Sequence, residues 1–309
     1  MHRTSVFVVG SFIMGLTIRV SRPPAAGETL MGYGFDLGPG GKGINMAIAL
    51  KRAGAQVDLM LCIGQDLFGQ QAMAVLKQEN LSTQYVHQST DQPTGCGFVT
   101  LLPSGENSIV INSGANLCMT PDLLVQAEAA IKASSVLICQ LEVTPDVAEV
   151  SMVMGKKHGC MTILNPAPAQ PLSACTLSHV DVLTPNETEA KILLGLPPDA
   201  DVPTETLIGQ LLKLGPKAVV LTQGKHGALI ATDAGIQHIF SPVIDLADST
   251  GAGDAFNGNM ARELAQGKSL REAVERAVYA GAFCAGTLGV INGLPTTTEL
   301  DKFINQHRV

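Results

Sequence analysis

Apolar positions along the chain fall into two alternating patterns. Short β-branched runs at Val6–Val9, Val57–Ile63, Val136–Leu141, Met161–Leu164, Val180–Thr184, Ala218–Thr222 and Ala228–Thr232 predict strands. Between most of them the spacing turns helical, over Asn45–Arg52, Gly69–Glu79, Asp122–Lys132, Pro145–His158 and Thr206–Leu214. Strand–helix–strand repetition implies an α/β fold with a parallel sheet and helices on both faces. The strands read as continuous apolar runs, as a sheet covered on both sides requires. Two stretches break the rhythm. Ser21–Asp36 and Thr94–Asn112 are punctuated by Gly, Thr and Pro, with short alternating segments at Gly97–Leu101 and Ser108–Ile111. They predict antiparallel strands set apart from the main sheet, a flap able to cover a substrate and exclude water.

Composition narrows the class. The chain has 309 residues, 46% hydrophobic and only 15% charged, with 32 glycines, which favours a large buried sheet with many tight turns. A net charge of −7 and no run of Lys or Arg argue against a nucleic-acid partner. Seven cysteines form no CxxC pair and no Cys/His cluster, so they read as reduced core thiols and not as a zinc site. The apolar run Val6–Val9 is too short for a signal peptide. Ala277–Pro295 carries no charge, but Gly, Thr and Asn interrupt it, so it predicts a buried helix and a loop, not a membrane span. A cytoplasmic protein is expected.

In an open parallel sheet, ligands bind beyond the carboxyl ends of the strands. The residues at each strand's carboxyl tip are therefore informative. The tips carry Glu142, then Asn165-Pro166-Ala167-Pro168, then Thr184-Pro185-Asn186-Glu187-Thr188-Glu189, then Thr222-Gln223-Gly224. Thr184 and Asn186 also suit ordinary helix capping. Four polar tips on one edge are harder to dismiss.

Two glycine-rich segments add a phosphate theme. Gly38-Pro39-Gly40-Gly41-Lys42-Gly43 opens one helix, and Asp248-Ser249-Thr250-Gly251-Ala252-Gly253-Asp254 opens the helix Ala255–Leu264. Small residues let backbone N–H groups approach an anion, and a helix N-terminus adds positive partial charge. In the second loop Asp254 projects a carboxylate into that anion hole. It would repel a phosphate unless it had a task, and taking a proton from an attacking hydroxyl during phosphoryl transfer is such a task. The plainer reading is a helix-start residue favoured by the dipole. Gly38, Gly40 and Gly43 match the dinucleotide fingerprint only weakly, because no buried strand precedes them and Lys42 sits inside. A P-loop is excluded, since Gly43 stands where Ser or Thr would hold Mg²⁺.

Gly40-Gly41-Lys42-Gly43-Ile44-Asn45 together with Asp248–Phe256 resembles the two signatures of the ribokinase-like (pfkB-type) carbohydrate kinases, with the strand-tip motifs between them in family order. The Asn-Pro-Ala-Pro and Asn-Glu-Thr-Glu stretches are most similar to the ribokinase and deoxyribokinase branch. The resemblance implies a three-layer αβα sandwich with a mostly parallel central sheet. It implies one domain over residues 1–309, with a β-sheet lid from segments near 12–37 and 94–112 that often builds a homodimer. It implies Asp254 as the base and Gly251, Ala252 and Gly253 as the anion hole. Gly41, Lys42, Asn45 and Glu142 would contact the sugar. Asn186 and Glu189 would orient phosphates and hydrated Mg²⁺, and Thr222, Gln223, Gly224 and Gly227, with Gly253, would lie along ATP. A monovalent cation, usually K⁺, would be held by Asp248, Thr250, Ala285, Leu288, Gly289 and Gly293, mostly through carbonyl oxygens.

The chain departs from that pattern at one place. Family members carry an Asn and an Asp shortly after the first strand that hold sugar hydroxyls, and here Ile13 and Gly15 stand there. Losing a carboxylate that accepts from two hydroxyls removes charge-assisted bonds of roughly 1.5–3 kcal/mol each. Ribose is thereby in doubt, but the reaction class is not. Asn107 or Asn112 from the lid could compensate. The expected function is transfer of the γ-phosphate of ATP to a small carbohydrate. A nucleoside acceptor, packed on Phe12, Ile13 and Met14, is the alternative enzyme, and a sugar- or nucleotide-sensing protein the non-catalytic one.

Overall fold

The first strand, β1 (Ser5–Val9), sends Val6 and Val8 into one core and Phe7 and Val9 into another. All four side chains are fully buried. This is the consequence of a strand covered on both faces, where alternation separates two apolar layers rather than apolar from polar. The computed structural model describes residues 4–103 and 106–307.

In chain order the remaining strands are β2 (Ile13–Arg19), β3 (Gly34–Gly40), β4 (Gln56–Gly64), β5 (Tyr85–Ser89), β6 (Cys96–Leu101) and β7 (Asn107–Asn112). They continue with β8 (Val136–Gln140), β9 (Met161–Asn165), β10 (Val182–Leu183), β11 (Ala218–Thr222), β12 (Ala228–Thr232) and β13 (Gly235–Ile239). The main sheet runs in the order β13-β12-β11-β10-β9-β8-β1-β4-β5. It is parallel from β11 through to β5, and β12 and β13 add an antiparallel edge. Helices Lys42–Arg52, Ala252–Ala265 and Leu270–Ala285 build the core on one face. Helices Pro145–Lys157 and Thr204–Leu212 build the core on the other. The three-layer αβα expectation holds.

Local differences from the sequence expectation have physical causes. Asp122–Lys132 is two short helices, Pro121–Gln126 and Glu128–Ala133, hinged at Ala127. The Val180–Thr184 run keeps only two ladder residues, Val182 and Leu183, although Thr184 N still donates to Leu164 O at 3.0 Å and its hydroxyl reaches Asn257. Tyr85–Ser89 and Gly235–Ile239 carry too many polar residues to read as strands. They pair at the two sheet edges, where one side meets solvent. The uncharged stretch 277–295 is the end of the helix Leu270–Ala285 followed by a loop with the short helix Val290–Gly293. Among the described residues no helix is long and apolar enough to cross a membrane.

The two irregular stretches do form a separate four-stranded sheet, in the order β3-β2-β6-β7. Its pairing differs from the expectation in one respect, since β2 and β6 run parallel. Its strands also lie at Ile13–Arg19 and Gly34–Gly40, leaving most of Ser21–Tyr33 irregular between them. Gly38 and Gly40 belong to β3 of this small sheet, which settles the weak dinucleotide match: no buried parallel strand leads into that glycine run.

Candidate active site

The site begins where two backbones touch. A Cβ at Gly10 would lie 2.3 Å from Gly43 Cα, and one at Gly43 would lie 2.2 Å from Ser11 N. Only a glycine pair lets the helix Lys42–Arg52 start this close to the carboxyl end of β1. Ser11, fully buried, knits the junction. Its carbonyl accepts from Ile44 N at 3.0 Å, and its hydroxyl donates to Glu142 Oε2. That hydroxyl also accepts from Gly43 N and from Gln140 Nε2, both at 3.3 Å. Glu142 Oε2 accepts in turn from Lys42 N at 2.8 Å, and Glu142 N donates to Gln140 Oε1 at 2.6 Å. Glu142 stands just beyond β8, so the first glycine loop and the tip of β8 are locked together.

The second loop approaches from the helix Ala252–Ala265. Gly251, its N-cap, sits at φ 83°, a left-handed conformation that favours glycine. The first turn of a helix leaves N–H groups without intrahelical partners. Beside them Gly253 has open space where a Cβ would stand. Asp254, 6% exposed, accepts from Asn45 Nδ2 at 2.8 Å through Oδ2. Asn45 Oδ1 is buried and has no partner among the described residues.

Electrostatics concentrate on these residues. Burial pushes the Asp254 carboxyl up to about 6, with Glu142 adding to the rise and Lys42 and Asn45 opposing it. Desolvation works against the Lys42 charge, yet the carboxylates of Asp254, Glu142 and Glu189 outweigh it and hold the ammonium above its ordinary range. Burial raises Glu189 as well, against its bond to Asn186 N and the field of Lys42. One cation thus sits among three acidic residues from three different elements.

Glu189 and Asn186 form a capping box at the start of the helix Glu187–Leu193. Asn186 Oδ1 accepts from Glu189 N and Glu189 Oε2 accepts from Asn186 N, both at 2.8 Å. The bland capping role is therefore real, but it leaves Glu189 Oε1 and Asn186 Nδ2 for another partner. A parallel bridge sets Asn186 beside Thr222. Gln223, Gly224 and Gly227 come next, in a tight turn closed by Gln223 N donating to Gly227 O at 2.8 Å. This second group joins the first through the Lys42–Glu189 attraction.

The candidate cation ligands also converge. Asp248 Oδ1 accepts from Thr250 N at 2.9 Å, and Cys284 Sγ lies 3.7 Å from Thr250 O. Gly293 packs against Cys284, and Val290 against Gly251. Among the described residues no lysine or arginine pairs with Asp248. Two ligands differ from expectation: Ala285 O accepts from Ala247 N and Asp248 N, and Gly289 O accepts from Gly293 N at 2.9 Å, so both carbonyls are engaged by the backbone. Leu288 and Gly289 lie on the exposed loop before Val290.

Sequence reasoning missed a supporting network. Asn257 Nδ2 donates to Gly253 O at 2.9 Å, and Asn257 Oδ1 accepts from Thr184 Oγ1 at 2.7 Å. Asn165 Nδ2 donates to Thr184 O at 2.9 Å. Polar tips of β9 and β10 thereby hold the anion-hole turn from below. A buried Asn three residues after Asp254, on the apolar side of a helix, was the available signal. Of the lid residues, Asn112 Oδ1 is spent on Gly114 N at 3.0 Å, and Asn112 pairs with Cys96, on the face of the sheet opposite Ile13 and Gly15. Asn112 does not replace the missing sugar contacts. The side chain of Asn107 lies outside the described residues.

The profile of the pfkB family of carbohydrate kinases matches residues 3–297. The chain belongs to this family. It is an ATP-dependent carbohydrate kinase. It is 34% identical to a ribokinase of Haemophilus influenzae over 302 residues, 98% of this chain and 99% of that one. A deoxyribokinase of Salmonella typhi is 30% identical, covering 97% and 98%. Among solved structures, ribokinase from Thermotoga maritima superposes with a TM-score of 0.90 at 27% identity, over 98% of this chain and 99% of that one. Arabidopsis thaliana ribokinase, solved with ribose and ATP, gives 0.89 at 26%, over 97% and 98%. The kinase frame thus includes both sheets.

The raised Asp254 carboxyl has a stability consequence. A carboxyl whose folded-state pKa lies above its unfolded value stabilises the fold below the unfolded value, and that stability is lost as pH rises through the folded value. A rise from 3.8 to about 6 corresponds to about 3 kcal/mol. Asp254→Asn is therefore expected to melt at higher temperature than wild type at pH 8, with the difference shrinking towards pH 5. Thermal melts across that range check it, and a difference that grew on acidification would contradict the burial argument.

Proposed function

We propose that the enzyme transfers the γ-phosphate of ATP to a hydroxyl of a small, pentose-type carbohydrate, with Asp254 as general base. The observation that carries this reading is the Asp254 carboxylate itself. It is buried at the mouth of a glycine-lined helix start, poised near 6 and fixed by Asn45. A base with a pKa near the working pH best combines the right protonation state with proton affinity. Oδ1 of Asp254 takes the acceptor's proton while Asn45 holds Oδ2. Lys42 and Glu142, locked by Ser11, orient the acceptor. The N–H groups of Gly251 to Gly253 receive the phosphoryl oxygens, whose negative charge the helix dipole favours.

The nucleotide would lie along Thr222, Gln223, Gly224 and Gly227, with its phosphates directed to Asn186 and Gly253. The free Glu189 Oε1 and Asn186 Nδ2 suit a hydrated Mg²⁺, which supplies charge neutralisation on the phosphates when bound. Asp248, without a cationic partner among the described residues, and the carbonyls of Thr250, Leu288 and Gly293 suit K⁺, with Ala285 and Gly289 contributing only if they share their carbonyls. A cytoplasmic setting fits the free cysteines, none of which is paired among the described residues. A second copy of the chain would cover the small sheet's exposed apolar row Ile18, Phe35, Leu37, Phe98 and Val110.

Asp254→Asn is expected to lower kcat by roughly 10²–10⁴ while leaving nucleotide affinity nearly unchanged. Single-turnover kinetics with ATP check this, and near-normal turnover returns Asp254 to a capping role. Cation titrations test the two ion sites together. K⁺ in place of Na⁺ at constant ionic strength should raise the rate in wild type and not in Asp248→Ala, and Glu189→Gln should need more Mg²⁺ for half-maximal rate. Equal responses in all three proteins would remove both sites. Sedimentation should show a dimer that Phe98→Asp or Val110→Asp dissociates; a monomer at micromolar wild-type concentration would contradict the sheet-mediated pair.

A further inference from the structure

One face of the small sheet has a floor without side chains. Within β2, Met14 packs into the core and Leu16 is half-buried on the same face, so Ile13, Gly15 and Thr17 stand on the opposite face. The register places Gly38 of β3 and Gly97 of β6 on either side of Gly15, with Ile111 of β7 beyond Gly97. Three neighbouring strands therefore present bare backbone in one row, about 10 Å across at the usual strand spacing. The backbone does not demand glycine at these positions, since none has a positive φ. A Cβ at Gly38 would meet nothing within 4 Å, and one at Gly97 would make ordinary contacts with Ile13 at 3.6 Å and Ile111 at 3.7 Å. At Gly15 the nearest atom is Gly38 O at 3.2 Å.

This row is continuous with the reacting end of the site. The inner neighbour row pairs Ile13 with Gly40, one residue before the Gly41–Lys42 turn. At Asp254 the buried Asn45 Oδ1 lacks a donor, which a hydroxyl of a bound acceptor supplies. Moving outward along β2, the order is Ile13, the bare row, then Thr17 opposite Asp36, whose carboxylate pairs with Arg19. An acceptor anchored at Asn45 and Asp254 thus meets an apolar wall, a flat floor and then an exposed polar pair.

A free pentose suits this surface poorly. Its hydroxyls need partners, yet Ile13 and Ile111 offer none, and the N–H and C=O groups of β2 and β6 are engaged with strands on both sides. A flat ring needs no hydrogen bond through its faces and can lie on peptide planes, while donors on its rim can reach Asp36. We propose that the acceptor is a pentose carrying a flat, hydrogen-bonding heterocycle at the carbon remote from the reacting hydroxyl, a substrate of the nucleoside class. The heterocycle lies over Gly15, Gly38 and Gly97 with its polar edge towards Asp36. The proposal rests on the kinase reading above and adds the identity of the acceptor to it.

The test compares D-ribose, 2-deoxy-D-ribose and a panel of purine and pyrimidine nucleosides, monitored by ADP release with MgATP and K⁺. At least one nucleoside should exceed D-ribose in kcat/KM by about 10-fold or more, the lower end of what one pocket group discriminates. Gly38→Val and Gly97→Val, which fill the row, should each lower that ratio by about 10-fold. Asp36→Ala should raise the nucleoside KM. Melting curves establish that the variants fold. Calorimetric binding of the same nucleosides to Asp254→Asn reads the floor without turnover. D-ribose used as well as every nucleoside, or a ratio unmoved by both valines, overturns the proposal and leaves the sugar-kinase reading standing. Failure to phosphorylate any acceptor overturns the kinase reading. The proposal then survives only if Asp254→Asn binds a nucleoside and the added Gly38→Val abolishes that binding.

Discussion

The contact between Gly10 and Gly43 is the constraint on which the site depends. Two Cα atoms meet with no side chain between them, so a helix N-terminus lands directly on the carboxyl end of the central strand. A single added methyl would drive the helix outward against backbone, which cannot yield as a flexible side chain would. Because the contact is this close, Ser11 can bond at once to Gly43, Ile44, Gln140 and Glu142. Lys42 and Asn45 then reach Glu142 and Asp254 without any long flexible segment. Precision of this kind is what a positioned acceptor requires, since small misplacements weaken transfer severely.

Charge balance is the second organising feature. Lys42 alone faces three carboxylates, and the low-dielectric setting magnifies each attraction and each repulsion. The surplus of negative charge is not relieved within the protein, and Glu142 adds to the burial that pushes the Asp254 carboxyl up to about 6. A site designed only for stability would have matched the charges or replaced them with apolar groups. The mismatch is better understood as room left for a polyphosphate with its cations, whose arrival alters the field at Asp254.

The two sheets divide the work. The large sheet carries rigid chemistry at its strand tips, buttressed by Asn165, Thr184 and Asn257 beneath the helix start. The small sheet is partly open, with apolar side chains exposed on one face and a glycine row on the other. Side chains can change on the small sheet without disturbing the tips. The two positions at which the sequence reading expects a departure from the family, Ile13 and Gly15, both lie there, on β2.

The sequence by itself determined the alternating α/β layers, the strand-tip chemistry and both glycine loops. These depend on local periodicity and on residue types whose backbone demands or charges are intrinsic. Asp254 stood out in the sequence as the candidate base because a carboxylate in an anion-binding loop conflicts with that loop unless it reacts. Only the tertiary structure decided the rest. The polar edge strands β5 and β13 take their place from their partners, β5 pairing with β4 across an intervening helix and β13 folding back on β12 as a hairpin. Ser11, Gln140 and Asn257 matter through partners more than 70 residues away, so no local pattern marks them. The bare row needed the register of three strands, because Gly15, Gly38 and Gly97 become neighbours only when β2 pairs with β3 on one side and β6 on the other. Pairing across strands is a property of the folded sheet, and a one-residue slip would have put each glycine on the opposite face.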